Sequence, residues 1–113
     1  MTAIDLKTDH DLASLRYWTA KLRLVADIWD DPDLDPAERE SVRPEWDNIT
    51  DRIARIQAMA DRGELRQAAM TELRAIADEL SDLRPTMQRL RLRLPDLDAL
   101  SRVAAQPAAA PPS

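Results

Sequence analysis

The sequence predicts an all-α protein, an up-down-up three-helix bundle with coiled-coil-like packing and the means to dimerise into a larger bundle. Its single glycine, its lack of phenylalanine and its many alanine, leucine, arginine, aspartate and glutamate residues favour helices over strands. Apolar residues also recur in alternating steps of three and four, the period of an amphipathic helix. At 113 residues the chain suits a single domain.

The first apolar stripe predicts a helix over residues 9–30, with Thr8 or Asp9 as its cap. Residues 1–8 are then an N-terminal arm that precedes the bundle. The stripe consists of Leu15, Trp18, Leu22, Val25 and Trp29.

The second stripe predicts a helix over residues 36–62 that passes through Pro44. Because Pro44 falls on the side opposite the stripe, its missing amide and any bend are directed toward solvent. Asp35 is the expected N-cap, with Pro36 at the first helical position. The stripe consists of Val42, Trp46, Ile49, Ile53, Ile56 and Ala60.

The third stripe follows Gly63, which suits a left-handed C-terminal cap and a short connection to an antiparallel helix. Its rhythm predicts one long helix that passes Pro85 on its outer side and ends or breaks near Pro95. The run RLRLRL alternates like a strand, but the continuing helical period favours a helix that leaves Leu92 exposed. The stripe consists of Ala69, Leu73, Ile76, Leu80, Leu83, Met87, Leu90, Leu94 and Leu97.

The end of the chain predicts a short addition to the bundle followed by a tail. Residues 95–105 suit a further short helix through Leu97, Leu100 and Ala104. The single bundle domain therefore covers residues 9–105, and residues 106–113 form a disordered Ala/Pro tail.

Composition and charge limit the function. The chain has no cysteine, so thiolate zinc sites, disulfides and thiol nucleophiles are excluded. The net charge of −5 argues against a nucleic-acid partner, because such binding needs a basic surface. The N-terminal run MTAIDLKTDHD is acidic where a signal peptide is basic, and no apolar run is long enough to cross a membrane. We expect a cytoplasmic protein without a membrane partner.

The run DDPDLDPAERE, residues 30–40, is the most acidic stretch, but it does not match a calcium loop. Counted from Asp31, the sixth position is Pro36 rather than glycine, and the twelfth is Val42 rather than glutamate. His10 lies between two aspartates that point away from it on a helix, so it is a poor ligand centre. No spacing of residues indicates a nucleophile, a general base or a phosphate loop. The sequence thus predicts no enzyme activity, no metal and no cofactor.

The charged clusters are candidates for partner binding. The segment 84–93 carries several arginines and no acid, and an antiparallel third helix would bring it level with the acidic stretch. The two clusters then either form an internal charge network or leave one cluster free to dock another macromolecule. The candidate residues are Asp31, Asp33, Arg89, Arg91 and Arg93.

The first helix also carries a second apolar stripe, Tyr17, Leu24 and Ile28, for which a three-helix monomer has little use. This stripe predicts either a helix wedged deeply in the bundle or a self-association surface, and it favours a homodimer. Trp29 lies near the open end of the helix and is the best single candidate for a binding hot spot.

These observations predict a non-enzymatic helical-bundle protein that acts through protein–protein contacts, as an oligomerising adaptor or a small accessory subunit. The alternative is an antitoxin- or inhibitor-like protein that covers a basic site on a partner with its acidic residues 30–40. A third hypothesis is a small-molecule or ion binder between helices, near Trp18 and Trp46.

Overall fold

The computed structural model describes residues 3–106, except for the side chain of Ile4, and contains only helices within that range. This confirms the predicted all-α class. The predicted tail lies outside the described residues from residue 107 onward. The helices are α1 (Ala3–Ile28), α2 (Pro36–Asp61), α3 (Gln67–Asp82), α4 (Arg84–Arg89) and α5 (Leu97–Ala104).

Helices α1 and α2 pack side by side in opposite directions. The ion pair between Lys21 and Glu45, at 3.8 Å, joins the later half of α1 to the start of α2. The pair between Asp11 and Arg55, at 3.5 Å, joins the earlier half of α1 to a later turn of α2. Positions therefore rise along α1 as they fall along α2, as the predicted up-down arrangement requires.

Helix α5 joins the three long helices as a fourth packed element. It runs antiparallel to α3, since Arg74 within α3 donates to the Ala104 carbonyl at the end of α5 at 2.6 Å. Arg84, two residues after α3 ends, pairs with Asp98 near the start of α5 at 3.4 Å. It also packs against α2. Helices α2 and α3 therefore each contact both α1 and α5. The bundle is consistent with the predicted three-helix arrangement, completed by the short helix expected after Pro95.

The core consists largely of the predicted apolar stripes, with corrections at the start of α1 and in the segment that follows α3. Every residue of the second stripe is buried, and Val25 and Trp29 of the first stripe are partly buried against the core. At the N-terminal end, α1 begins at Ala3 rather than at residue 9. Thr8 and Asp9 therefore lie within the helix and do not cap it. Thr8 and Leu12 are buried on the inner side of α1, and this packing continues the helix past the predicted start.

The predicted long third helix is wrong beyond Asp82. Pro85 cannot donate to the carbonyl four residues earlier, and α3 ends before it while α4 restarts with Pro85 in its first turn. Pro44 lies inside α2 with its ring exposed, as predicted. Both prolines were predicted on the outer side of a helix, yet only α2 continues through its proline. The side on which a proline falls therefore does not predict whether the helix continues.

The segment after α4 is a loop rather than a helix, which reverses the prediction for two leucines. Leu92 is 6% exposed and packs in the core, whereas Leu94 is 43% exposed. The Trp46 indole donates to the Arg93 carbonyl at 2.7 Å and so ties this segment to α2.

The ends of α2 follow the predicted capping chemistry. The Asp35 carboxylate accepts from the Ala37 amide at 2.9 Å, and Pro36 begins the helix. At the other end Gly63 has φ +71°, as the left-handed cap requires. Next to it, a hydrogen bond from Arg62 lowers the pKa of the exposed Glu64 carboxyl below its ordinary value.

Candidate interaction surface

One side of α1 carries an exposed apolar surface, which we call the α1 face: Leu6, Tyr17, Leu24 and Ile28. Their spacings of eleven, seven and four residues are close to whole numbers of helical turns, so they line one side of the helix. Leu24 is 68% exposed. The second stripe is thus exposed and not wedged between the other helices.

Leu6 belongs to the same face but was missed by sequence reasoning. The predicted helix began at residue 9, which placed Leu6 in an arm instead of on a helix. Its separation of eleven residues from Tyr17 was the available signal, because eleven residues make about three turns.

The centre of the α1 face is held in place by an edge-to-face pair of rings and a cation. The Tyr17 and Trp18 rings meet edge to face with centroids 6.2 Å apart. The Lys21 ammonium lies 4.5 Å from the Trp18 ring centroid and 3.8 Å from the Glu45 carboxylate. Tyr17 is therefore exposed but constrained by its neighbours, so a partner that covers it restricts less side-chain motion.

An apolar groove extends the α1 face toward the start of α2. It encloses about 270 Å³ and has Val25 and Ile28 on one wall and Leu34 and Val42 on the other. At its end the Arg39 guanidinium lies 5.4 Å from the Trp29 ring centroid and donates to the Trp29 carbonyl at 2.6 Å. The predicted hot-spot residue Trp29 therefore borders the groove, half-buried.

The acidic stretch forms a turn and a helix start. Asp31 accepts from the Asp33 amide at 2.9 Å, a local turn that leaves the Asp33 carboxylate in solvent. Asp30 pairs with Arg89 at 3.8 Å. Asp31 and Asp33 thus lie close to the end of the α1 face, but their carboxylates form no ion pair within residues 3–106.

The three candidate arginines separate into different environments. Arg89 donates to the Ala26 carbonyl and reaches Asp30, which places it beside the C-terminal end of α1. Arg93 pairs instead with Asp51 of α2 at 3.1 Å, outside the acidic stretch. Arg91 is exposed, has φ +56° and forms no ion pair within the described part of the chain. The structure therefore brings Arg89 alone among them into contact with the acidic stretch.

The two tryptophans of the third hypothesis lie in the core. Trp46 is fully buried with its indole N–H bonded to the Arg93 carbonyl, and Trp18 is buried beneath Tyr17 and Lys21. Across residues 3–106 no three aspartate, glutamate or histidine side chains are grouped so that they could hold a metal ion. In the same range no helix combines the length and apolarity that crossing a membrane requires.

Comparisons with protein-family models, with curated proteins and with solved structures each find no match for this chain. The exposed surface of the molecule is therefore what indicates its function.

Proposed function

We propose that this chain is a non-enzymatic helical-bundle protein that acts through protein–protein contacts, as an oligomerising adaptor or a small accessory subunit. The α1 face is the observation that supports this proposal. Four of the five large apolar side chains that are exposed within the described residues lie on this one helix, and Leu94 is the fifth. Scattered exposed leucines are ordinary, whereas apolar residues aligned on one face of a helix are typical of a binding surface.

The energetics of the α1 face suit a contact that forms outside the monomer. Leu24 is 68% exposed, so covering it recovers about 1–2 kcal/mol of the value for full burial of a leucine. Tyr17 adds a large ring with few rotatable bonds, the kind of side chain that is enriched at interfaces. We also propose that the protein is cytoplasmic and that its partner is a protein rather than a nucleic acid or a membrane.

The experiment that tests this proposal compares captured proteins between two matched leucine variants. Leu24→Arg places a charge on the α1 face, whereas Leu94→Arg places the same charge on an exposed leucine outside α1. Tagged wild-type protein and both variants are used for affinity purification from the native cell, followed by mass spectrometry. We expect specific partners with wild type and Leu94→Arg and their loss with Leu24→Arg. Identical recovery by Leu24→Arg would exclude the α1 face as the contact surface.

A second candidate is the inhibitor-like function of the acidic stretch. The observation in its favour is that the Asp33 and Glu40 carboxylates are exposed and unpaired with any cation among residues 3–106. Such charges raise the rate of association with a basic partner site more than they raise affinity. Reversal of both charges should slow binding to a basic partner at low salt. An association rate that does not change with salt or with these substitutions would contradict this function.

A further inference from the structure

The α1 face is symmetric about Tyr17 at its ends and near its centre, but not at Leu24, whose mirror position is occupied by His10. Leu6 precedes Tyr17 by eleven residues and Ile28 follows it by eleven. Ala13 lies four residues before Tyr17 and Ala20 three residues after it, and both alanines are exposed. Large apolar side chains at both ends and small ones beside the centre therefore repeat in either reading direction.

A surface with this symmetry is complementary to itself in one orientation. In a two-fold dimer, if one residue contacts a second residue of the other copy, the second residue also contacts the first in return. The surface must therefore match its own rotated copy. If two α1 helices cross antiparallel near Tyr17, Leu6 of one copy lies opposite Ile28 of the other, and Ala13 lies opposite Ala20. We propose, building on the proposed function, that the α1 face binds a second copy of this chain in this antiparallel register.

One charge pair beside the face favours the antiparallel orientation. Asp9 and Arg23 are exposed along the same edge of α1, fourteen residues apart, and neither forms an ion pair within residues 3–106. Antiparallel helices place residues of the same edge opposite each other. Asp9 of one copy then meets Arg23 of the other, and the pair occurs twice by symmetry. A parallel two-fold pair would instead place this edge beside the opposite edge of the partner helix, so Asp9 and Arg23 would not meet.

The size of this interface predicts a reversible dimer. Helix α1 has 26 residues and is about 39 Å long, and the proposed contact follows one side of it. A single helix pair belongs to the small class of interfaces, so we expect association at micromolar rather than nanomolar concentration, with dissociation constants on the order of 10⁻⁵ M.

Single cysteines test the register, because the natural chain contains none. Leu6→Cys and Ile28→Cys proteins are oxidised mildly, separately and as a mixture, with Leu94→Cys as the control for random collision. In the antiparallel register the mixture should form a mixed disulfide about fivefold or more above either variant alone, since only facing positions satisfy the distance limits of the bond. Preferential dimers of Leu6→Cys with itself would show a parallel pair and overturn the register.

Charge exchange tests the same register without oxidation. Asp9→Arg and Arg23→Asp should each weaken dimerisation about tenfold in sedimentation equilibrium, and the double variant should restore it. Circular dichroism verifies that each variant remains helical. Failure of the double variant to recover while both single variants weaken association would overturn the Asp9–Arg23 contact.

The outcomes separate this inference from the proposed function. If the wild-type chain is monomeric at about 1 mM by sedimentation, the self-association is excluded. The dissociation constant of the dimer would then lie above about 1 mM, which is too weak for a specific dimer. If Leu24→Arg still loses captured partners in that case, the α1 face binds a different protein and the proposed function holds. A dimer with the expected mixed disulfide supports the inference whatever further proteins are captured.

Discussion

Gly63 and Arg91 occupy the same position in two C-terminal caps of the same type. The Gly63 amide bonds to the Ala60 carbonyl, and the Arg91 amide bonds to the Gln88 carbonyl. In each cap the amide of the following residue donates to the carbonyl five residues earlier. The residue at the equivalent position has a positive φ, +71° for Gly63 and +56° for Arg91. Both ends are Schellman caps, one with the residue that the geometry prefers and one without it.

Replacing Arg91 with glycine should stabilise the protein. A residue with a Cβ is strained in the left-handed region by roughly 1–2 kcal/mol, which exceeds the added chain entropy of glycine. We expect the free energy of unfolding to rise by about 1 kcal/mol, measured by urea denaturation. No rise would mean that the Arg91 side chain has a stabilising contact that offsets the strain.

Gly63→Ala is the matched control for that change. A Cβ on Gly63 would meet no atom within 4 Å, so the only cost is the backbone conformation at φ +71°. The free energy of unfolding should fall by about 1 kcal/mol, the opposite sign from Arg91→Gly in the same cap type.

Trp46→Phe should destabilise the loop that follows α4. The substitution removes the indole donor from the Arg93 carbonyl and also leaves space in the core around a fully buried side chain. We expect a loss of about 2–3 kcal/mol in the free energy of unfolding. Hydrogen exchange should accelerate first at the Leu92 amide if this bond fixes the segment. Uniform acceleration along the chain would instead indicate a general loss of packing.

The sequence was sufficient for elements that depend on local chemistry and a regular period. Helix α2 was predicted almost to the residue, because Asp35, Pro36 and Gly63 mark its ends and the apolar stripe between them has no interruption. Leu92 and Leu94 were predicted with the wrong exposure because the leucines of this segment fit two periods at once. The helix ends instead in the cap at Arg91, and the Trp46 hydrogen bond, which joins residues distant in sequence, holds the segment that follows.

The candidate surface was predicted only in part. Tyr17, Leu24 and Ile28 share a period with the core stripe, so their place on one helix face followed from spacing alone. Their exposure did not, because it depends on where α2 and α3 pack around α1. The arginines were predicted as one cluster on a continuous helix, and the end of α4 at Arg89 directed Arg93 toward Asp51 instead.

Asp35→Ala should destabilise α2 through the loss of its cap. The Asp35 carboxylate accepts from the Ala37 amide, whereas the nearby Asp33 side chain serves no such amide. We expect a loss of about 1 kcal/mol for Asp35→Ala in urea denaturation and a much smaller change for Asp33→Ala. Equal losses for the two variants would show that general acidity near the helix start matters more than the specific hydrogen bond.

Arg55→Ala should leave a buried carboxylate without its cation. The side chain of Asp11 is 7% exposed, while that of Arg55 is 48% exposed, so water reaches the arginine side of the pair. Removing Arg55 should lower the free energy of unfolding by about 1–2 kcal/mol, less than for a pair buried on both sides. Asp11→Asn in the same chain removes the charge and keeps the shape. The double variant should therefore be more stable than Arg55→Ala alone, and a thermodynamic cycle over the four proteins measures this coupling. If the two losses were simply additive, the ion pair would contribute nothing, and Asp11 would be stabilised by other neighbours in α1.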